Sequence, residues 1–307
     1  MPGGHVLEAF LPEPNQLEKM SPWALDLRQI EPGAMQTHIR VRSGQIMSLL
    51  EISMNRGVHQ QGTAPPGTLT FGVPFSKGSL RWHGTDVQMG QCITFGDERG
   101  FEGLSNSGFH GVTFSALNSE VEALADRLGI PMDESVRASG VIDPAERTMK
   151  ISEMSKKARG FLQSAHANVL DLGAEEELLT IFLCAAASNE KHENQSSGRQ
   201  RARAVRIALE FMRDNVEENV PISFISETAG VSLRTLNRAF REAFGIGPKA
   251  YYLQLRLGLL RRALIESDKS KLVSDLAYPL GFWHMGQLAR DYRSQFGELP
   301  SETRSYE

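Results

Sequence analysis

The sequence GVSLRTLNRAFREAFGIGP at residues 230–248 returns in altered form as GFWHMGQLARDYRSQFGELP at residues 281–300. Seven positions of the first copy match seven of the second at a constant spacing of 52 residues. These positions are Leu236, Arg238, Phe240, Arg241, Phe244, Gly245 and Pro248, which correspond to Leu288, Arg290, Tyr292, Arg293, Phe296, Gly297 and Pro300. A repeated apolar and basic pattern indicates one small structural unit that is built twice.

The first copy has the pattern of two short helices joined by a tight turn. A helix is predicted over 222–229 after Pro221, and Gly230 follows it with the backbone freedom that a turn requires. Ser232 is placed to cap a second helix over 233–244. Leu236, Phe240 and Phe244 recur every four residues along that helix, so they face a core. The first copy is therefore predicted to be a helix-turn-helix.

The other face of the 233–244 helix is basic. Arg234, Asn237, Arg238 and Arg241 are spaced i, i+3, i+4 and i+7, which places them together toward solvent. Arginine makes two-point hydrogen bonds to guanine, and asparagine makes them to adenine, in the major groove. This pattern favours DNA binding over an ordinary solvated face.

The second copy predicts helices at about 271–278 and 284–296, with Leu288, Tyr292 and Phe296 facing inward. Its turn at Gly281 holds one residue more than the first. Pro279 is expected to end the 271–278 helix early, because proline disfavours helical geometry in the residue before it.

A connecting helix is predicted over 249–266, with a length of ~27 Å at 1.5 Å per residue. Such a connector suits two recognition helices in successive major grooves, ~34 Å apart on one side of B-DNA. A further helix is predicted over 203–215, with Val205, Ala208, Leu209 and Met212 inward.

The chain divides by composition into two domains and a linker. Residues 188–202 lack large apolar side chains and are interpreted as the linker between a domain at 1–187 and one at 203–307. Short apolar runs with glycine turns over 35–117 predict strands. Helices follow at 119–129, where Val121, Leu124, Ala125 and Leu128 share a face, and at about 144–165 and 174–188. The apolar stripe of the 174–188 helix is consistent with packing on the strands or with dimerisation. The predicted class is α+β.

The charge of the 307-residue chain is uneven. Residues 1–198 hold 16 Lys and Arg against 24 Asp and Glu, whereas residues 199–307 hold 17 against 13. A basic C-terminal third weakly favours a polyanionic partner. Two cysteines, Cys92 and Cys184, exclude a disulfide framework, and neither a signal peptide nor a membrane-spanning run is present, so a cytoplasmic location is expected.

Several sequence motifs, taken together, resemble those of the AraC/XylS family of bacterial transcription regulators. They are the paired helix-turn-helix units, Arg256-Leu257, Asp275-Leu276-Ala277 before Gly281-Phe282, and Phe296-Gly297-x-x-Pro300. The resemblance covers about 203–303. The stretch FWHMGQLARDYR also resembles regulators of ethanolamine-utilisation operons, although a dozen residues do not identify an inducer.

The resemblance implies double-stranded promoter DNA and RNA polymerase as partners, and it implies roles for individual residues. Base contacts fall on Arg234, Asn237, Arg238, Gly286, Gln287 and Arg290. Phosphate contacts fall on Ser232, Arg241, His284 and Arg293. Gly286 has no side chain, so the second unit is expected to read less sequence than the first.

In this family the N-terminal part is commonly a cupin-like β-barrel that binds an effector or mediates dimerisation, and a homodimer is therefore expected. Trp82 and His83, with Arg81, are candidate pocket residues, although an ordinary partly buried aromatic is the commoner case. Arg40, Arg42, Arg56 and Arg81 suit an anionic ligand if they point into the barrel, but the outer face is as consistent.

The alternative is a ligand-binding or enzymatic cupin whose helical tail binds protein. Metal-binding cupins need a His-x-His pair, yet His59, His83 and His110 each stand alone. The sequence has no GxSxG nucleophile motif, and Cys92 lies in a predicted strand. We therefore expect neither a metal nor a cofactor, and no enzymatic activity.

Overall fold

The computed structural model describes the chain except for residues 1–5, 13–15, 18–21, 76–79, 97–99, 131, 133–136, 143–147, 164–171, 187–195, 219, 269 and 305–307. It divides into a unit comprising Met1–Leu27 and Met35–Lys191, called the N-terminal unit below, and a unit comprising Arg28–Ala34 and His192–Glu307, called the helical unit. The N-terminal unit consists mainly of strands and the helical unit of helices, which agrees with the predicted α+β class. No described helix has the length and apolar character needed to cross a membrane.

The strands are β1 Val6–Leu11, β2 Ala24–Gln29, β3 Thr37–Ser43, β4 Met47–Met54, β5 Val58–Thr63, β6 Thr68–Pro74, β7 Leu80–Trp82, β8 Thr85–Val87, β9 Cys92–Thr94, β10 Phe101–Ser105, β11 Phe109–Leu117 and β12 Gly140–Ile142. They form a seven-stranded sheet in the order β1-β3-β4-β11-β6-β9-β12 and a five-stranded sheet in the order β2-β5-β10-β7-β8. Both sheets are open and end in edge strands, so the described strands do not close into the barrel that the resemblance implies. The coarser expectation of a strand-rich N-terminal region is confirmed.

Three helices cover the outer side of the seven-stranded sheet: α1 Asn118–Leu128, α2 Thr148–Gln163 and α3 Leu172–Ala186. The apolar stripe of α3 is buried against this sheet, where Phe182 stacks on Phe71 with ring centroids 3.8 Å apart. In the structure this stripe therefore packs on the strands, which is the first of the two predicted alternatives. On α1, Val121, Leu124 and Ala125 are buried, whereas Leu128, which was predicted to share their face, is 43% exposed. It lies one residue before the left-handed Gly129, where the helix ends.

The helical unit contains α4 Ser196–Asp214, α5 Ile222–Thr228, α6 Leu233–Phe244, α7 Pro248–Glu266, α8 Val273–Ala277, α9 Met285–Phe296 and α10 Pro300–Thr303. These bounds lie close to the predicted ones for both helix-turn-helix pairs. The predicted linker is divided: residues 188–195 lie outside the described residues, and 196–202 belong to α4.

The long helix α7 packs against both helix-turn-helix pairs. Toward its start, the Tyr251 ring contacts Phe240 and Phe244 of α6, with centroids 5.6 Å and 4.7 Å away. Toward its end, the guanidinium of the buried Arg261 lies 4.6 Å from the ring centroid of Phe296 in α9. The connector therefore holds both recognition helices in one helical unit.

The short segment Arg28–Ala34 also belongs to the helical unit, which the sequence did not indicate. Nε2 of Gln29 donates to the carbonyl oxygen of Gln295 at 3.0 Å, and Nε2 of Gln254 donates to the carbonyl oxygen of Ile30 at 2.7 Å. These bonds satisfy polar groups at the C-terminal half of α9 and the middle of α7.

Candidate nucleic-acid interface

Helix α6 has one buried face and one exposed face, as its sequence predicts. Leu236 and Phe240 are fully buried, and Phe244 is 5% exposed. Arg234, Arg238 and Arg241 are exposed on the other side. Together with Asn237 and Glu242, they line one shallow open concavity on the surface. The structure thus brings together four of the five predicted contact residues of the first helix-turn-helix, all except Ser232.

Glu242 also belongs to this surface, although it is not one of the predicted contact residues. Its Oε1 accepts a hydrogen bond from Nε of Arg238 at 2.7 Å, and its Oε2 pairs with Nε of Arg201 at 2.8 Å. The hydrogen bond from Arg238, followed by the charges of both arginines, lowers the pKa of the Glu242 carboxyl. The i, i+4 spacing of Arg238 and Glu242 is the signal that predicts such a pair.

Asn237 is only half exposed, and its amide already has a partner. Nδ2 donates to the carbonyl oxygen of Leu233 at 2.9 Å, one turn earlier in α6. To contact an adenine with both amide atoms, this side chain must exchange that bond.

Ser232 caps α6 as predicted. Its Oγ accepts from the backbone N–H of Thr235 at 3.2 Å, and the left-handed Gly245 ends the helix with φ of 74°. The cap leaves Ser232 exposed at the helix N-terminus, where the helix dipole favours anions. The local geometry is thus compatible with a phosphate contact.

On the exposed side of α9 the polar side chains bond to one another, as Arg238 and Glu242 do on α6. Nη2 of Arg290 donates to Oε1 of Gln287 at 2.7 Å, and Nε2 of Gln287 donates to Oδ1 of Asp291 at 2.7 Å. Gly286 is exposed, and a Cβ added there would meet nothing within 4 Å. His284 precedes the helix and Arg293 lies in its last turn, both exposed.

The turn before α9 exposes an aromatic pair that the sequence analysis did not single out. Helix α8 ends at Ala277, and a 3₁₀ turn at Tyr278–Leu280 follows, which confirms the early stop predicted from Pro279. Trp283 is 66% exposed and stacks on Tyr278, with centroids 5.5 Å apart and an interplanar angle of 17°. Trp283 lies within the turn that is one residue longer than its counterpart in the first pair.

The candidate effector residues of the N-terminal unit lie in different environments. Trp82 is fully buried and its indole N–H donates to the carbonyl oxygen of Thr94 at 3.0 Å. Arg81 donates to Oδ1 of Asp86 at 2.9 Å. His83 lies in the left-handed region with φ of 47°, and its ring bonds to Oγ of Ser139. The structure does not gather these three side chains around one cavity.

A cavity of about 50 Å³ lies instead between the two sheets of the N-terminal unit. Its walls are mostly apolar and include Trp23, Phe95, Phe101 and Phe109, with Gln60 as a polar group. Trp82 stacks on Phe101 with centroids 5.1 Å apart, so it supports one wall.

The other candidate arginines do not gather at this cavity. Arg40 pairs with Glu8 and Glu51, and Arg42 donates to the carbonyl oxygen of Leu162. Among the described residues, no three His, Cys, Asp or Glu side chains form a group able to hold a metal ion.

Two helix-turn-helix pairs on one connecting helix, the first with an exposed arginine face, define this chain as a helix-turn-helix protein. Residues 225–306 match the model of a family described as "Helix-turn-helix domain". The chain is 32% identical over 127 residues to the XylDLEGF operon transcriptional activator 3 of Pseudomonas putida, covering 41% of this chain and 38% of that protein. Over this region the chain is similar to transcriptional activators of the AraC/XylS family.

Other similar proteins differ in how much of the chain they cover. The HTH-type transcriptional activator RhaS of Pectobacterium carotovorum is 23% identical over 278 residues, which span 90% of this chain and 91% of RhaS. The crystal structure of a probable AraC family regulator from Rhodopseudomonas palustris has 34% identity and a TM-score of 0.31, covering 33% of this chain and 94% of the other. The chain spans 38% and 52% of the lengths of two P. putida activators that it matches.

Proposed function

We propose that the protein is a cytoplasmic transcription regulator that binds double-stranded promoter DNA through α6 and α9. Its N-terminal unit, a cupin-like domain in this proposal, binds a small-molecule effector or assembles a homodimer. RNA polymerase is the protein partner. Activation is favoured over repression, and regulation over catalysis, because the similar proteins are named as transcriptional activators.

The observation that carries this proposal is the exposed arginine face of α6, backed by a buried apolar stripe. A helix with this construction is anchored on one side and presents cations on the other, which a major groove bordered by phosphates accommodates. The first pair has three exposed arginines on this helix, at 234, 238 and 241.

The proposed contacts divide between bases and phosphates. Arg234, Asn237 and Arg238 read base edges from α6, while Ser232 and Arg241 hold the backbone. In the second pair, Gly286, Gln287 and Arg290 face the bases, and His284 and Arg293 face the phosphates. Both pairs must exchange side-chain bonds before base contact, Arg238 with Glu242 and Arg290 with Gln287, so the missing side chain at Gly286 is what supports the second pair as the weaker reader.

The effector is proposed to be small and largely apolar. The aromatic walls of the cavity between the sheets support this assignment, with Gln60 as a hydrogen-bonding group. Trp82 acts through Phe101, and Arg81 and His83 border the adjoining turn at the end of β7.

The test is duplex selection with the full chain, followed by affinity measurements on Arg238→Ala and Arg241→Ala. We expect Arg238→Ala to weaken the selected site by ~1–3 kcal/mol and to relax the preference at one base pair. Arg241→Ala should weaken all sequences alike and lower the salt slope by about one. Equal losses on selected and random DNA for both variants would refute this division of roles, and no duplex binding at low salt would refute the function.

A further inference from the structure

We propose that Trp283 is a DNA backbone contact of the second helix-turn-helix, in which the indole N–H donates to a phosphate and the ring lies against a deoxyribose. This inference rests on the proposed function. It adds to the second pair a contact that is neither basic nor a member of the repeated pattern.

Trp283 is a large apolar side chain that the fold leaves in contact with solvent. Trp283 is 66% exposed, whereas the two other tryptophans, Trp23 and Trp82, are 8% and 0% exposed. Stacking on Tyr278 covers part of one ring face, and Tyr278 is itself 42% exposed. An exposed aromatic pair with a polar N–H group is typical of a surface that binds a partner.

A well-defined turn holds the Trp283 ring at the surface. Gly281 is left-handed with φ of 75°, and its N–H donates to the carbonyl oxygen of Tyr278 at 3.0 Å. The N–H of Phe282 donates to the carbonyl oxygen of Ala277 at 3.2 Å. The guanidinium of Arg256 lies 5.1 Å from the buried Phe282 ring. Because these contacts fix the turn on both sides of Gly281, little conformational entropy is lost when Trp283 binds DNA.

The position of Trp283 in the second helix-turn-helix favours DNA as its partner. Trp283 immediately precedes His284, the residue before α9. In a helix-turn-helix the N-terminal end of the recognition helix lies in the groove and the first helix crosses the backbone, so we infer that the turn between them lies beside the phosphates. The first turn of α9 holds no acidic residue, and its dipole favours a phosphate there. Because tryptophan only donates hydrogen bonds, phosphate oxygen is a matching acceptor.

The contact also explains how the second pair is held on DNA despite Gly286. That residue offers no side chain to a base, and the Gln287 and Arg290 side chains bond to each other. A backbone contact fixes orientation without reading sequence. We therefore expect Trp283 to strengthen binding to every duplex by a similar factor.

The experiment compares the full-length protein with Trp283→Ala and Trp283→Phe on a random-sequence duplex of about 30 base pairs, roughly three helical turns. Trp283→Ala should weaken binding by about tenfold and Trp283→Phe by less, since the ring stays and the N–H is lost. The salt slope should not change for either, because no charge is removed. Arg293→Ala is the contrasting control, with a slope lowered by about one.

The fluorescence of the unaltered protein gives a second readout that does not depend on how well a variant folds. Trp283 is the exposed tryptophan, so duplex DNA should quench or shift emission of the unaltered protein and leave that of Trp283→Phe almost unchanged. If the unaltered protein and Arg238→Ala behave as the proposed function requires but Trp283→Ala binds equally well and the emission is insensitive to DNA, the Trp283 assignment alone is overturned. A defect of Trp283→Ala confined to transcription by RNA polymerase would also overturn it, in favour of a protein contact.

Discussion

Arg238 donates a hydrogen bond from Nε to Oε1 of Glu242 at 2.7 Å, one helical turn further along α6. The residue proposed to read a base is thus held by a carboxylate on the same surface. DNA must compete with that carboxylate for the guanidinium, and Glu242 also repels phosphates.

We therefore predict that Glu242→Gln binds duplex DNA more tightly, by about threefold at moderate salt, because an amide competes less for Arg238 than a carboxylate does. Arg238 and Arg201 lower the pKa of Glu242 below its ordinary value of 4.5. The Glu242 carboxyl is consequently ionised from pH 8 down to its ordinary pKa. Its ion pairs with Arg238 and Arg201 are lost only when the pH falls through the lowered pKa. The ratio of the two affinities, measured by anisotropy, should be constant from about pH 8 to pH 5. Weaker binding by Glu242→Gln would show that Glu242 positions Arg238 and does not compete for it.

Ser232 combines a structural role that the structure shows with a DNA role that is proposed, and two substitutions separate them. Ser232→Ala removes the acceptor for the Thr235 N–H, so the free energy of unfolding should fall by about 1 kcal/mol. Ser232→Asp keeps an acceptor and suits the positive end of the helix dipole, so stability should be retained.

DNA binding should respond differently, since the aspartate places a negative charge beside a phosphate. Ser232→Asp should bind all duplexes more weakly than Ser232→Ala does, as measured by titration at several salt concentrations. Equal affinities would exclude Ser232 from the backbone contact while leaving its cap intact.

The helical unit could be predicted closely from sequence because its apolar residues recur at helical spacing. The spacing of Leu236, Phe240 and Phe244 indicates which face of α6 is buried. The second copy of the repeat shows the same spacing and so supports the same prediction. The N-terminal strands were less predictable: β1 and β2 lie before the predicted strand region at 35–117. Strand β1 pairs with β3, about 30 residues further on, and such pairing leaves no local periodic signal.

The exposed face of the candidate site was predictable, but its internal partners were not. Arg238 lies on the exposed face of α6, and its i, i+4 spacing from Glu242 also lets these two side chains form a hydrogen bond. Nothing in the periodicity distinguishes a half-exposed Asn237 bonded to the backbone from a free one. The exposure of Trp283 depends on how α8 ends and on the left-handed Gly281, which are properties of the folded turn.

Gly286 is the position where the second reader lacks a side chain, and the space there is open. We predict that Gly286→Gln increases sequence discrimination at one base pair by about 1 kcal/mol, since glutamine makes two hydrogen bonds to adenine. Its free energy of unfolding should not fall, because glutamine favours a helix more than glycine does. The measurement is selection from a duplex pool with the variant and with the unaltered protein. An unchanged consensus would place residue 286 away from the bases.

Gly258 lies in the middle of α7 without any contact that requires glycine. A Cβ at this position would meet nothing within 4 Å. We predict that Gly258→Ala raises the free energy of unfolding of the helical unit by about 0.5–1 kcal/mol, because alanine restricts the unfolded chain and favours the helix. Gly245→Ala is the matched control: a Cβ there also meets nothing within 4 Å, but φ is 74°, so this variant should lose about 1 kcal/mol or more. Urea unfolding followed by circular dichroism at 222 nm, a wavelength that reports helix, measures both. Destabilisation by Gly258→Ala would mean that α7 must bend at this residue to hold its two helix-turn-helix pairs.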